Sequence, residues 1–179
     1  MHTDDPAVLE LHPVPHPNPG VARAGFGLSD PYLEACWAPV VGPSSTLLLR
    51  QCPERWKDGV PARVEAADLA RSIGLGRGTG RNSPLTRTLE RLERFGFLHR
   101  VSVTEVAVYT EVPPVSGRQL DHLPAWNRSR HEDLLGRHLE GLSRPTTRSQ
   151  PDDPPRMEMS ERLAHLRRPA GPKPPGRHL

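Results

Sequence analysis

The run from Ala66 to Thr110 constrains the fold of this chain more than any other: AADLARSIGLGRGTGRNSPLTRTLERLERFGFLHRVSVTEVAVYT. Leu69, Ala70 and Ile73 recur at helical spacing, and Gly74 follows them as a helix terminator. Gly76-Arg-Gly-Thr-Gly-Arg-Asn82 has no apolar residue and reads as a connector. Ser83-Pro84 is a helix start, a capping hydroxyl followed by proline at the first helical position. Leu85, Leu89, Leu92 and Phe95 then line one face until Gly96. Phe97–Val101 and Glu105–Thr110 are rich in Val, Phe and Tyr. They predict two strands joined by the turn Ser102-Val103-Thr104. The expected order is helix, turn, helix and antiparallel hairpin.

Upstream, Asp30-Pro31 opens a helix carrying Tyr32, Leu33, Cys36, Trp37 and Val40, which Pro39 and Gly42-Pro43 interrupt. Pro43 restarts a helix with Leu47, Leu48 and Cys52, limited by Pro53. Pro53–Pro61 reads as a loop and Val64 as a one-bridge strand. Downstream, Pro113-Pro114 stops the sheet. Ser116–Leu123 and Trp126–Leu142 look helical, divided by Pro124. Of the 22 prolines, five lie in Met1–Asp30 and eight in Gly141–Leu179. Neither end shows apolar periodicity, so Met1–Leu28 and Ser143–Leu179 are expected to be disordered. One modest core lies between them.

The net charge is only +3, but Arg71–Arg100 holds seven arginines against Glu90 and Glu93. A local basic patch is an electrostatic footprint for nucleic acid. Arginine is abundant throughout, Lys57 and Lys173 being the only lysines, so position rather than number carries the argument. Cys36 and Cys52 have no partner motif for a metal site and are expected to be reduced and buried. The chain does not open on a signal peptide and has no apolar run of membrane-spanning length, so a cytoplasmic protein without a membrane partner is expected, nucleoid-associated if bound to DNA. Catalysis has little support, and an enzyme is not expected. Glu132-Asp133 beside His131 reads as the polar face of a helix. The glycine-rich connector lacks the Gly-Lys-Ser/Thr of a phosphate-binding loop, and no strand precedes it. No cofactor or metal is expected.

At 100° per residue, Leu85, Leu89, Leu92 and Gly96 fall on one side of the helix, and Arg87, Glu90, Arg91 and Arg94 on the other. Arginine suits bidentate contact with guanine or with phosphate. Ser83 and Thr86, near the helix start, could meet a phosphate or a thymine methyl. Arg77, Arg81 and Asn82 flank the connector glycines, where backbone amides could bind phosphate. Ser102 and Thr104 form the hairpin tip. Against this stands an ordinary solvated face, in which Glu90 pairs with Arg94 four residues on.

The segment Ala66–Thr110 resembles the winged helix-turn-helix of bacterial transcription regulators. The phrase Leu89-Glu-Arg-Leu-Glu-Arg-Phe-Gly-Phe-Leu98 carries the resemblance: the second helix ends in an aromatic and a glycine and enters the first wing strand. Tyr32–Leu123 also resembles an uncharacterised group of such domains from GC-rich bacteria. In that group, a motif like Tyr-x-Glu-x-x-Trp-x-Pro-Val-x-Gly-Pro-x-x-Thr precedes the winged unit, as Tyr32–Thr46 does here. The resemblance implies a mainly α fold with a small antiparallel β-wing. The winged helix domain would span 29–112 and a helical extension 113–142, between a disordered tail at 1–28 and a disordered Pro/Arg-rich tail at 143–179. It implies sequence-specific binding to double-stranded DNA. Arg87 and then Arg91 would read bases, while Arg94, Arg77, Arg81 and the wing tip approach the backbone. The alternative is a winged domain that serves as a protein-interaction module. Leu120, Leu123, Trp126, Leu134, Leu135 and Leu139 offer a homodimer surface, or could fold back onto Tyr32–Val40.

Overall fold

The computed structural model describes residues 8–143. Apart from Ser143, the tail expected at Ser143–Leu179 lies outside the described residues, as do residues 1–7 of the other expected tail. The described chain is mostly helical with a small mixed sheet. In order, its elements are β1 (Val8–Val14), α1 (Pro19–Ala24), β2 (Phe26–Gly27), a π-helical turn (Leu33–Trp37), α2 (Ala38–Val41), α3 (Pro43–Trp56), β3 (Ala62–Glu65) and α4 (Ala66–Ser72). Then come α5 (Pro84–Arg94), β4 (Leu98–Arg100), β5 (Glu105–Tyr109), β6 (Glu111–Val112), α6 (Gly117–Asp121) and α7 (Ala125–Ser143).

The expectation of disorder through Leu28 is overturned for residues 8–28. Val8–Val14 is a strand at the centre of the sheet, whose order is β3-β1-β5-β4. Its alternation explains why: Leu9 and Leu11 point into the core, and Glu10 and His12 point the other way. β1 pairs antiparallel with β3, setting Leu9 against Val64 and Leu11 against Ala62. It pairs parallel with β5, setting Leu11 against Val106 and Pro13 against Val108. The sheet is therefore not purely antiparallel: the β4–β5 hairpin keeps the expected character, but β5 pairs parallel with β1 on its other side. Pro13 is tolerated because pairing with β3 ends at Leu11, so one side of β1 is an edge there. Phe26 and Leu28 are buried too, and Phe26 stacks on Tyr32 with ring centroids 3.8 Å apart.

Two other proline signals are overridden by tertiary contacts. The helix opened by Asp30, whose Oδ1 accepts the Tyr32 N–H at 2.8 Å, runs through Pro39 to Val41. Pro39 has no N–H for the Ala35 carbonyl four residues back, and Asn127 of α7 donates to that carbonyl at 2.8 Å instead. Helix α3 does not stop at Pro53 but continues to Trp56. Leu49 and Cys52 are fully buried before and within that turn, and Trp56 Nε1 donates to the Leu11 carbonyl at 2.9 Å. That packing outweighs one missing helical bond. Between Pro53 and Pro61 the expected loop is confined to its last residues, and β3 is a four-residue strand rather than a single bridge.

The chain after the hairpin folds back on the helix that starts at Tyr32. The Tyr32 hydroxyl accepts the Val115 N–H at 3.0 Å and is hydrogen-bonded to His131 Nδ1 at 2.6 Å. His131 is thus buried rather than part of a polar helix face. Leu123 is buried, and Leu120, Leu134 and Leu135 are half-buried against the same core. Trp126 and Leu139 stay exposed. No helix among the described residues is long and apolar enough to cross a membrane.

Two outcomes follow from this packing. Leu11→Ala, at a fully buried position in the central strand, should cost roughly 2–5 kcal/mol in chemical denaturation. A cost near zero would mean that β1 is not integral to the sheet. Both cysteines are buried, and burial pushes the Cys36 thiol up to about 11 and the Cys52 thiol up to about 12. At about pH 8 neither should react with a disulfide reagent until denaturant is added, because the thiolate is the reactive form.

Candidate functional site

Helix α5 forms as its sequence dictates. Ser83 is extended, and its Oγ accepts the Thr86 N–H at 3.1 Å, with Pro84 next in the first turn. Leu85, Leu89 and Leu92 are buried, with Thr88 beside them, its hydroxyl donating to the Pro84 carbonyl at 2.8 Å. The helix ends at Gly96, whose φ of 74° only glycine adopts readily. The Phe97 N–H turns back to the Leu92 carbonyl at 2.9 Å, which drops Phe97 into the core against Trp37. Arg87, Glu90, Arg91 and Arg94 are all exposed, as the helical phase requires.

These four side chains do not behave alike. Arg87, Glu90 and Arg94 make no side-chain hydrogen bond or ion pair among the described residues, and Glu90 does not pair with Arg94. Arg91 is held: its Nη1 donates to the Val41 carbonyl, the last of α2, at 3.2 Å. Gly42 makes room for this contact. A Cβ there would lie 3.1 Å from Arg91 Nη1, and Gly42 has φ 87°. Arg87 and Arg91 together line one wall of a groove of about 250 Å³ whose opposite wall is Val41 to Ser45 at the start of α3.

The remaining expected contacts separate into three local groups. Ser83 is 7% exposed and spent on capping. Thr86 is engaged as well, its hydroxyl donating to the Gly80 carbonyl at 3.1 Å and lying 3.0 Å from Ser83 Oγ. Neither is a free donor for an outside partner. Both fasten the end of the connector, where the Ser83 N–H also meets the Gly80 carbonyl at 2.7 Å. Arg77, Arg81 and Asn82 lie exposed on that connector. At the hairpin tip, Ser102 Oγ accepts the N–H groups of Thr104 (3.3 Å) and Glu105 (3.0 Å). The Thr104 carbonyl accepts the Glu10 N–H of β1 at 2.8 Å. The tip is therefore anchored to the sheet, with Val101 and Val103 exposed around it.

Two participants escaped the sequence reading. Glu93 fastens α5 to β4, accepting the Arg100 N–H at 2.9 Å and lying 3.1 Å from His99 Nδ1. Ser44 and Ser45 begin α3, a helix with Gly42 at its N-cap and no capping side chain. The signal was visible as Gly42-Pro43-Ser44-Ser45, a helix start without an acceptor before the proline. Elsewhere, Glu10, His12 and Glu105 bring three ligand atoms within 4.8 Å of one another on the outer face of the sheet. Arg63 already donates to Glu10 Oε1 at 2.8 Å through Nε and 2.5 Å through Nη2. A guanidinium thus compensates the charge that a cation would need, and three donors fall short of a closed tetrahedral site.

Because Ser83 is a capping residue, Ser83→Ala should lower stability by about 1 kcal/mol in denaturant unfolding. Ser83→Asp, which keeps an acceptor at the cap, should recover most of it. Equal losses in both variants would assign the cost to packing instead. Comparison of the chain with known protein families, with curated proteins and with solved structures finds no match.

Proposed function

We propose that this chain is a sequence-specific double-stranded-DNA-binding protein of the winged-helix kind, acting in transcription regulation, with α5 as the recognition helix. The observation that carries the reading is the state of the arginines on α5. Arg87 and Arg94 are exposed beside Glu90 with no partner among the described residues, opposite a stripe of buried leucines. Long cationic side chains with no partner among the described residues, on a helix fixed at its cap, its apolar face and its C-terminal glycine, suit an external polyanion. The exposed face of such a helix fits the major groove. Arg77 and Arg81 on the connector, and the anchored tip at Ser102–Thr104, supply backbone contacts on either side of the helix in sequence. The tip acts as the wing in this reading.

Arg87 is nearer the helix start and takes the base-reading role. Arg94, at the last turn, neutralises a phosphate. These roles leave different signatures. On a duplex selected from random sequence, Arg87→Ala should cost about 1–3 kcal/mol and relax preference at one position. Arg94→Ala should weaken all sequences alike and reduce the salt dependence by about one unit of slope. Binding isotherms at several salt concentrations check both. If selection enriches no sequence and both variants bind duplex as the parent does, the face is merely solvated and the protein-interaction reading replaces this one.

A further inference from the structure

The groove between α3 and α5 has properties that base reading does not use. Helix α3 is 14 residues long, and its N-cap Gly42 offers no capping side chain. Pro43 has no N–H, the Thr46 N–H is taken by the Gly42 carbonyl at 3.1 Å, and the amides of Ser44 and Ser45 have no acceptor among the described residues. Free amides at a helix start, with the partial positive charge of the helix, favour an anion. Ser45 supplies an independent sign. It is 2% exposed, lines the groove, and its hydroxyl has no hydrogen-bond partner among the described residues. Its oxygen is not fully enclosed, so it opens onto the groove that Ser45 lines. Arg87 and Arg91 form the facing wall, and no carboxylate among the described residues lines the groove. The bond from Arg91 to the Val41 carbonyl fixes its guanidinium at the rim, leaving its other N–H groups for a second acceptor.

We infer that this groove is a seat for one phosphate group, bound by the amides of Ser44 and Ser45, the Ser45 hydroxyl and the guanidinium groups of Arg87 and Arg91. On the DNA reading, on which this assignment of source rests, the occupant is a phosphodiester of the duplex backbone. Arg91 then becomes a phosphate ligand instead of the second base reader that its place on α5 suggests. Arg87 stands at the boundary, able to serve the seat or the base edge. The same chemistry would accept the phosphate of a small phosphorylated molecule.

The test uses the full chain and inorganic phosphate as the probe, with chloride at matched ionic strength as the reference. Phosphate should shift the backbone amide resonances of Ser44 and Ser45 saturably. Arg91→Ala and Ser45→Ala should each weaken that response about tenfold, while Arg118→Ala on α6, outside the groove, should not. In duplex binding, Arg91→Ala should lower affinity for selected and scrambled sequences by the same factor and reduce the salt slope by about one unit. Arg91→Lys should restore the slope but only part of the affinity, since it keeps the charge and loses the planar fork. If the parent binds duplex while phosphate leaves Ser44 and Ser45 unshifted and Arg91→Ala keeps the parent's salt slope, the seat is overturned and the DNA reading stands. If phosphate binds with the expected variant pattern but no duplex is bound, the seat stands, a small phosphorylated molecule is its ligand, and the DNA reading falls. A phosphate response that Arg91→Ala and Ser45→Ala leave intact overturns the seat outright.

Discussion

The insertion of β1 between β3 and β5 is the constraint from which most of this structure follows. A two-stranded hairpin is marginal on its own. Here β5 has β4 on one side and β1 on the other, and β1 brings β3 with it. Leu9 and Leu11 join Ala62, Val64, Val106, Val108 and Leu98 into one apolar sheet face. The helices cover that face, with Trp56 of α3 bonded to the Leu11 carbonyl. The position of α5 depends on this sheet as well, because Glu93 ties the helix to β4 and Phe97 is buried directly after it. A segment far from α5 in sequence therefore holds the frame on which its arginines are presented.

A second layer of fixation comes from buried polar pairs at the other end of the core. Tyr32 joins the N-terminal half to the chain after the hairpin through Val115 and His131, and Trp37 Nε1 donates to the Pro113 carbonyl at 2.8 Å. Burial of the Tyr32 hydroxyl raises its pKa well above that of a free phenol, so the phenol keeps its proton. Asn127 completes the set by answering the carbonyl that Pro39 leaves without a donor. Each bond satisfies a group whose burial would otherwise cost about 1–3 kcal/mol. Together they explain why α7 lies on the π-helical turn and why its Leu134 and Leu135 are half-buried.

The candidate site sits where three of these supports meet. The kink at Gly42 brings the Val41 carbonyl and the start of α3 within reach of α5. The cap at Ser83 and the turn at Gly96 fix both ends of α5. Sorting its arginines by what already holds them separates groups that helical phase alone treats as equivalent: Arg91 has an intramolecular acceptor, and Arg87 and Arg94 have none among the described residues. That distinction underlies the division proposed between a phosphate seat and a base-reading face.

The order of elements from Ala66 to Tyr109 was legible in the sequence because every signal there is local. Ser83-Pro84 caps its own helix, Gly74 and Gly96 end theirs, leucines repeat at helical spacing, and β-branched residues mark the two strands. The exposure of Arg87, Glu90, Arg91 and Arg94 followed from the same periodicity. What the sequence alone could not decide were long-range satisfactions. Val8–Val14 reads as part of a proline-bearing tail until β3 and β5 supply its hydrogen bonds, and Pro13 is acceptable only because pairing with β3 stops before it. Pro39 and Pro53 signal helix ends, yet Asn127 replaces one lost contact and the packing of Cys52 and Trp56 outweighs the other. Ser83 and Thr86 looked free for a ligand until the connector folded back to use them. Only the tertiary structure could set Ser44 and Ser45 opposite Arg87 and Arg91, because that groove is made by two helices whose meeting depends on the whole core.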